Sequence, residues 1–237
     1  TRCFTYGAQG STEVESARRL TALKNIAWHH VTLPCEFLTD SYLKDIGDIF
    51  GASLHMHGMY QMEFYDHIKL KFNLSRSAVL TSGFMTGVPA GQHNGLLHIN
   101  DEHTSLTGAM NNFSQSNVWT DADLEKLSIF AGKNYLQKAE ERFQLAFNRF
   151  DGELHQRAVM FDIWTRQRNF ISYYPRVFEW LCPVVSPHMN TDYANFFMSL
   201  SKEHLSDRRA VELMFMQHYP DIAGVVSNSN GIVSLGS

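Results

Sequence analysis

The fold turns on residues 2–34, RCFTYGAQGSTEVESARRLTALKNIAWHHVTLP. RCFTYG predicts a strand over Arg2 to Tyr6 that ends at Gly7. The segment after it opens with helix-start chemistry. Thr12 followed three residues later by Glu15 predicts a capping box, with Ser11 as the alternative N-cap. Val14, Ala17 and Leu20, then Leu23 or Lys24, recur at helical spacing, so this helix lays a modest apolar stripe on a neighbour. HHVTLP predicts a second strand, His30 to Leu33, which Pro34 stops.

Outward from there, EFLTDSYLKDIGDIFG is helical in period, with Phe37, Tyr42, Leu43, Ile46, Ile49 and Phe50 apolar. MYQMEFYDHIKLKF predicts a further helix, and SAVLTSG a third strand through Ala78, Val79, Leu80 and Thr81. Strand, helix, strand, helix, helix, strand is the rhythm of a parallel α/β sheet. Ligands of such sheets sit beyond the carboxyl ends of the strands. The loops YGAQGST and SGFMTGVPAGQH both follow such an end and are expected on one rim. From residue 95 the chain turns polar, and LLHINDEHTSLTGAMNNFSQSN is the expected domain boundary or an active-site lid. Beyond it helices are expected at about 121–131, 134–149, 153–174, 191–200 and 206–218, punctuated by Pro175, Pro183, Pro187 and Pro220. No strand is expected there, and the tail VVSNSNGIVSLGS is expected to be a loop. The division this predicts is an α/β core over residues 1–98 and a helical part over 99–237.

At 237 residues the chain is long enough to bury a real core. Twenty Lys and Arg against 24 Asp and Glu give a net charge of −4, which offers no basic footprint for nucleic acid and no polybasic membrane patch. No apolar run approaches the ~18–20 residues of a membrane span, and the first residues show no signal-peptide pattern. Cys3, Cys35 and Cys182 are odd in number and widely spaced, neither a disulfide framework nor a zinc pattern, which fits a reducing cytoplasm. The chain opens on Thr1 and enters a strand at once, so further sequence upstream is expected.

Twelve histidines invite a metal site, but their spacing argues against one. His29 and His30 face opposite ways in a strand. His55 and His57 would share a face only in a strand, and His93, His98 and His103 sit in a loose loop. Ser82 follows a strand but lacks the second glycine of a nucleophile elbow. Cys35, near His29 and His30 in sequence, is expected to pack rather than react. Arg166 and Arg168, two apart, point to different faces. Either they are solvated or paired with Asp162 or Glu179, or one contacts an anion or an interface. Gly83, Gly87 and Gly91, four apart, either bring backbone N–H groups close to a phosphate or simply shape a loop.

Taken together, four segments resemble the synthetase domain of asparagine synthetase and its relatives, ATP pyrophosphatases of the adenine nucleotide alpha-hydrolase-like (HUP) fold. FTYGAQGSTEVESARRLTALKNIAWHHVTLP is similar to the second strand, helix and H-H-x-V strand of that domain. AVLTSGFMTGVPAGQH falls where the family writes Ser-Gly-Glu-Gly-Ala-Asp-Glu-Leu-Phe-Gly-Gly-Tyr. FDIWTRQRNFISYYPRVFEWLCPVVSPHMNTDYANFFMSL resembles the helix leading to the family's Pro-Phe-Leu-Asp segment and the helix after it. HYPDIAGVVSNSNG resembles the closing segment. The details lie nearest to relatives in bacterial surface-polysaccharide gene clusters.

The resemblance implies an incomplete parallel-sheet core followed by a mainly helical region. It implies ATP-dependent activation of a small carboxylic acid as its adenylate, then attack by an amine or ammonia, with ATP and Mg²⁺ as cofactors. Tyr6 falls where the family meets adenine through its backbone, and Ser82 and Gly83 match the Ser-Gly beside the nucleotide. Several parts of the pattern are missing. The Ser-Gly-Gly-x-Asp-Ser phosphate loop of the first strand is absent, and the chain begins at strand two. The metal-binding Asp falls at Gly87 and the neighbouring Glu at Val88. The late catalytic Lys has no match in VVSNSNGIV, and the glutaminase domain is absent. Weak or no catalysis by this chain alone is therefore expected. The alternative is a degenerate, non-catalytic member kept to bind a protein partner, or a homo-oligomer; aromatic helices such as Phe161 to Trp180 either bury a partner surface or, the favoured expectation, form ordinary core.

Overall fold

The computed structural model describes residues 1–32, 39–50, 56–72, 77–93, 134–180, 182–223, 225–228 and 231–233, with 120, 122, 123, 125, 126 and 129. The protein is mixed α/β, with helices around short strand pairs. It divides into two compact units interleaved in sequence. The first holds Thr1–Ser82, Phe170–Pro187 and Ala210–Ser237, and the second Gly83–Asn169 and His188–Arg209. Among the described residues no helix is long and apolar enough to cross a membrane.

The first unit begins with the predicted strand–helix–strand. β1 (Arg2–Tyr6) pairs in parallel with β2 (Ala27–Val31), from Arg2 opposite Ala27 to Tyr6 opposite Val31. Helix α1 (Thr12–Leu23) joins them. Its cap differs from the expected box. Ser11 holds the N-cap position in extended conformation, without a side-chain cap bond, and Glu15 pairs with Arg18 at 2.8 Å instead. The apolar stripe also shifts. Val14 and Thr21 are buried, whereas Leu23 is exposed. Thr21 goes inside because its hydroxyl is satisfied by the Ala17 carbonyl at 2.7 Å.

The end of α1 sets where β2 starts. Asn25 takes φ +50°, its N–H donates to Ala22 O, and Ile26 N–H donates to Thr21 O at 2.8 Å. This paired closure at an αL residue stops the helix within one turn. The strand therefore begins at Ala27, three residues earlier than expected. His29 and His30 do face opposite ways. The His29 ring meets Phe4 and Phe72, while His30 stacks on Trp28 and bonds to Gly7 O at 2.9 Å.

Helices α2 (Asp40–Phe50) and α3 (Met56–Phe72) follow as expected. Along α3, Phe64, Tyr65 and Ile68 form one buried face at helical spacing. They pack with Val31, Phe178 and Cys182, and with Phe4, Tyr6, Leu80 and Val184 from the strands. Fully burying side chains of this size contributes about 1.5–3 kcal/mol each, so this cluster is the main apolar support of the unit.

Strands occur late in the chain where none was expected. β3 (Leu80–Thr81) pairs in parallel with β4 (Val184–Val185). Two residues per strand are too few to show a period of two in the sequence. The tail is not a simple loop. β5 (Val226–Asn228) and β6 (Gly231–Val233) form an antiparallel hairpin with Asn228 opposite Gly231. A surface pair between Lys24 and Asp221 ties the end of α1 to the short helix Pro220–Ala223.

The second unit is helical around the glycine loop. It contains α4 (Tyr135–Phe147), α5 (Leu154–Asp162), most of a π-helix over Ile163–Ile171, α6 (Thr191–Met198) and the short α7 (Lys202–Leu205). The long helix expected near 153–174 is thus α-helical only to Asp162. A capping box of Glu153 and Gln156 starts α5, and the Asn190 side chain caps α6 by accepting from Asp192 N–H at 2.7 Å. The helix expected over 206–218 breaks at Asp207, φ +52°, and resumes as Arg209–His218. The expected boundary or lid at residues 95–119, most of 121–131, and Cys35, His55, His98 and His103 lie outside the described residues.

Candidate functional site

The residues implied for nucleotide contact are Tyr6, Ser82 and Gly83. Tyr6 ends β1. Its ring packs on Phe64 at 4.9 Å, and burial pushes its phenol pKa up. Gly7 N–H donates to Val31 O at 3.4 Å. Successive backbone groups of a strand alternate between its two edges, so the Tyr6 N–H and C=O turn to the edge away from β2. Ser82 follows β3, and its N–H donates to Val185 O at 2.8 Å. That bond anchors the loop entrance to β4. Tyr6 and Ser82 belong to the first unit, and Gly83 opens the second.

From Gly83 the loop closes on itself in successive turns. The Gly83 carbonyl accepts both Thr86 N–H, at 3.1 Å, and the Thr86 hydroxyl. The Gly87 carbonyl accepts Gln92 N–H at 2.9 Å. Val88, Pro89 and Ala90 between them are buried. Gly91 is required by shape. Its φ is +86°, and a Cβ there would lie 2.0 Å from the Leu205 carbonyl oxygen. At Gly87 a Cβ would lie 2.0 Å from Oε1 and 2.9 Å from Cβ of the exposed Gln92, so a side chain there would require Gln92 to shift. Packing thus requires glycine at position 91, and at 87 it disfavours a side chain while Gln92 holds its place. Gly83, whose nearest neighbour to a Cβ is Thr86 Oγ1 at 3.6 Å, is not explained that way.

The same crowding bears on magnesium. Gly87 and Val88 offer no side-chain oxygen donor, and no carboxylate side chain fits at Gly87 while Gln92 holds its place. These residues do not fit a Mg²⁺ site of the kind the family uses. No group of three or more His, Cys, Asp or Glu gathers to hold a metal among the described residues.

Two constellations in the second unit went unread in the sequence. Thr86 Oγ1 lies 3.0 Å from His188 Nδ1, and Tyr193 donates its hydroxyl to Thr86 O and sets its ring against His188 at 5.0 Å. Burial raises the Tyr193 pKa. The three come from segments over 100 residues apart, so no local motif could announce them.

The other is Asp162. From sequence it is a candidate partner for Arg166 or Arg168. Its Oδ2 instead accepts from Gln167 Nε2 at 2.9 Å and lies 3.7 Å from His93 Nδ1. The Arg168 guanidinium stacks on Trp164 at 4.3 Å. A lone acid inside the apolar run AVMFDIW was the available signal, because buried acids are rare unless partnered. Comparison with protein families, curated proteins and solved structures found no match to this chain.

Proposed function

We propose that this chain is the greater part of an asparagine-synthetase-like domain, with an incomplete adenine nucleotide alpha-hydrolase-like core. Its full-length parent would form a carbon–nitrogen bond using ATP. One observation carries the reading. β1–β2 and β3–β4 are two separate parallel pairs within one unit, and both contribute to one apolar core. Two-stranded pairs are marginal alone, and parallel strands normally belong to larger covered sheets. A strand between β1 and β3 would join them into one parallel sheet. In this reading that strand is the family's first, which carries the phosphate loop and which the resemblance finds absent from this chain. The Tyr6 backbone turns toward the edge where such a strand or an adenine would be met.

In this reading the small acid's carboxylate oxygen attacks the α-phosphorus of ATP, pyrophosphate leaves, and an amine or ammonia displaces AMP from the acyl carbon. Tyr6 contacts adenine through its backbone, and Ser82 and Gly83 contact the nucleotide. No step is assigned to Mg²⁺, because Gly87 and Val88 do not fit it.

A second reading has its own observation. The side chain of Gln92 fills the space at Gly87, as expected of a degenerate member retained to bind a protein partner. The test is pyrophosphate release by the full-length gene product, given ATP, ammonium and a panel of small carboxylic acids. Acid-dependent release supports the enzyme. Absence of release across the panel, with no ATP binding, favours the docking module.

A further inference from the structure

The second unit buries an acid that the reading above leaves idle. Asp162 ends α5 and is 1% exposed, with Ala158 and Val159 buried beside it on the helix. The π-helix begins at the next residue. The wider turn carries Gln167, five residues on and 3% exposed, to Asp162 Oδ2 at 2.9 Å. His93, at the end of the loop that Gly83 opens, brings Nδ1 to 3.7 Å from the same oxygen, and its side chain is 12% exposed. Asp162 Oδ1 has no hydrogen-bond partner among the described residues. A charge withdrawn from water this far is costly unless something compensates it. Wide helical turns also tend to occur at functional positions.

We propose that His93 is a general base, oriented through Nδ1 by Asp162, with Gln167 as a further positioning residue. The inference rests on the amide-forming reading only for the identity of the nucleophile, an amine or ammonia. A buried carboxylate facing Nδ1 keeps a proton on that nitrogen and leaves the Nε2 lone pair as the basic site. At 3.7 Å the contact has ion-pair length. A small movement of the ring closes it to a hydrogen bond, as such contacts tighten when a ligand arrives. The exposures suit the roles, since the imidazole can be reached from solvent and the acid cannot. In the transfer, the nitrogen lone pair forms the C–N bond to the acyl carbon. The acyl C–O bond breaks, with its electron pair leaving on AMP. The extra proton of the nitrogen passes to Nε2, and the imidazolium then faces the Asp162 carboxylate until it releases that proton to water.

Two measurements test this. Nitrogen NMR of the imidazoles in this chain, at a pH where His93 is neutral, should find the proton on Nδ1, and Asp162→Asn should alter that preference. A proton on Nε2, unchanged in Asp162→Asn, overturns the dyad. In the full-length product, His93→Gln should slow amide formation ~100-fold or more while slowing ATP–pyrophosphate exchange by less than about threefold, because only the second half-reaction needs the base. Equal loss of both overturns the assignment. If His93→Gln does not fold, His93→Asn is read in the same way. Absence of exchange in the wild-type product counts against the amide-forming reading, and the imidazole tautomer then judges the dyad by itself.

Discussion

The interior of the first unit is Val31, Phe64, Tyr65, Ile68, Phe178 and Cys182, and its buried polar residues on α1 are the hydroxyl-bearing Ser16 and Thr21. The interior of the second holds Phe143, Phe147, Val159, Phe197 and Leu205, but also Asp162, Gln167 and His155. Apolar area holds a shape at little risk, whereas a buried acid, amide and imidazole each need a partner. Local rules tend to be broken where chemistry requires it. The second interior is therefore where the structure depends more on polar partners, and the first where it depends more on apolar packing.

Core truncation should produce the largest effects. Phe147 is fully buried against Phe143 and Phe161 at 5.6 and 5.7 Å. Phe147→Ala should cost about 3–5 kcal/mol, and Ile68→Ala in the first interior about 2–5 kcal/mol, read by urea unfolding. Values under about 1 kcal/mol at either site would mean that site is not core.

The glycine loop gives a sharper contrast. Gly91→Ala meets both a positive φ and the Leu205 carbonyl, so it should cost about 2 kcal/mol or more. Gly83→Ala should stay within about 0.5 kcal/mol and show its effect in nucleotide affinity instead. Equal stability losses would erase the distinction between a glycine that packing requires and one that it does not.

Acid should separate the two interiors. Burial holds the His155 pKa below its ordinary value, with Glu153 opposing that shift from 3.3 Å. The unfolded chain then binds the proton more readily than the folded one. The stability His155 contributes is present above about pH 6.5 and lost as pH falls through the depressed folded value. Hydrogen exchange should show protection falling first in the second unit, and His155→Gln should reduce that fall. Alkali does not discriminate in this way, because burial raises Tyr6 and Cys182 in the first unit and Tyr193 in the second. The smallest effect is expected at the exposed Lys24–Asp221 pair, where Asp221→Asn should leave the unfolding midpoint unchanged within error.

The strand–helix–strand at the start was legible because its signals are local. Gly7 ends the first strand and Val14 sets the register of α1. The cap, the buried stripe of α1 and the onset of β2 moved, and Asn25 in αL explains the last of these. β4 was hidden because two residues carry no period. The π-helix after Asp162 has no sequence signature comparable to a cap or a turn. The His93–Asp162 and Thr86–His188 contacts join residues 69 and 102 positions apart, so only tertiary packing brings them together.

The most direct test is a calorimetric titration of ATP, in Mg²⁺-containing buffer, into this chain and into the full-length gene product. The account predicts saturable binding by the full-length product and binding at least about 100-fold weaker by this chain, a difference of about 2.7 kcal/mol. Binding by neither would contradict a nucleotide site built from Tyr6, Ser82 and Gly83.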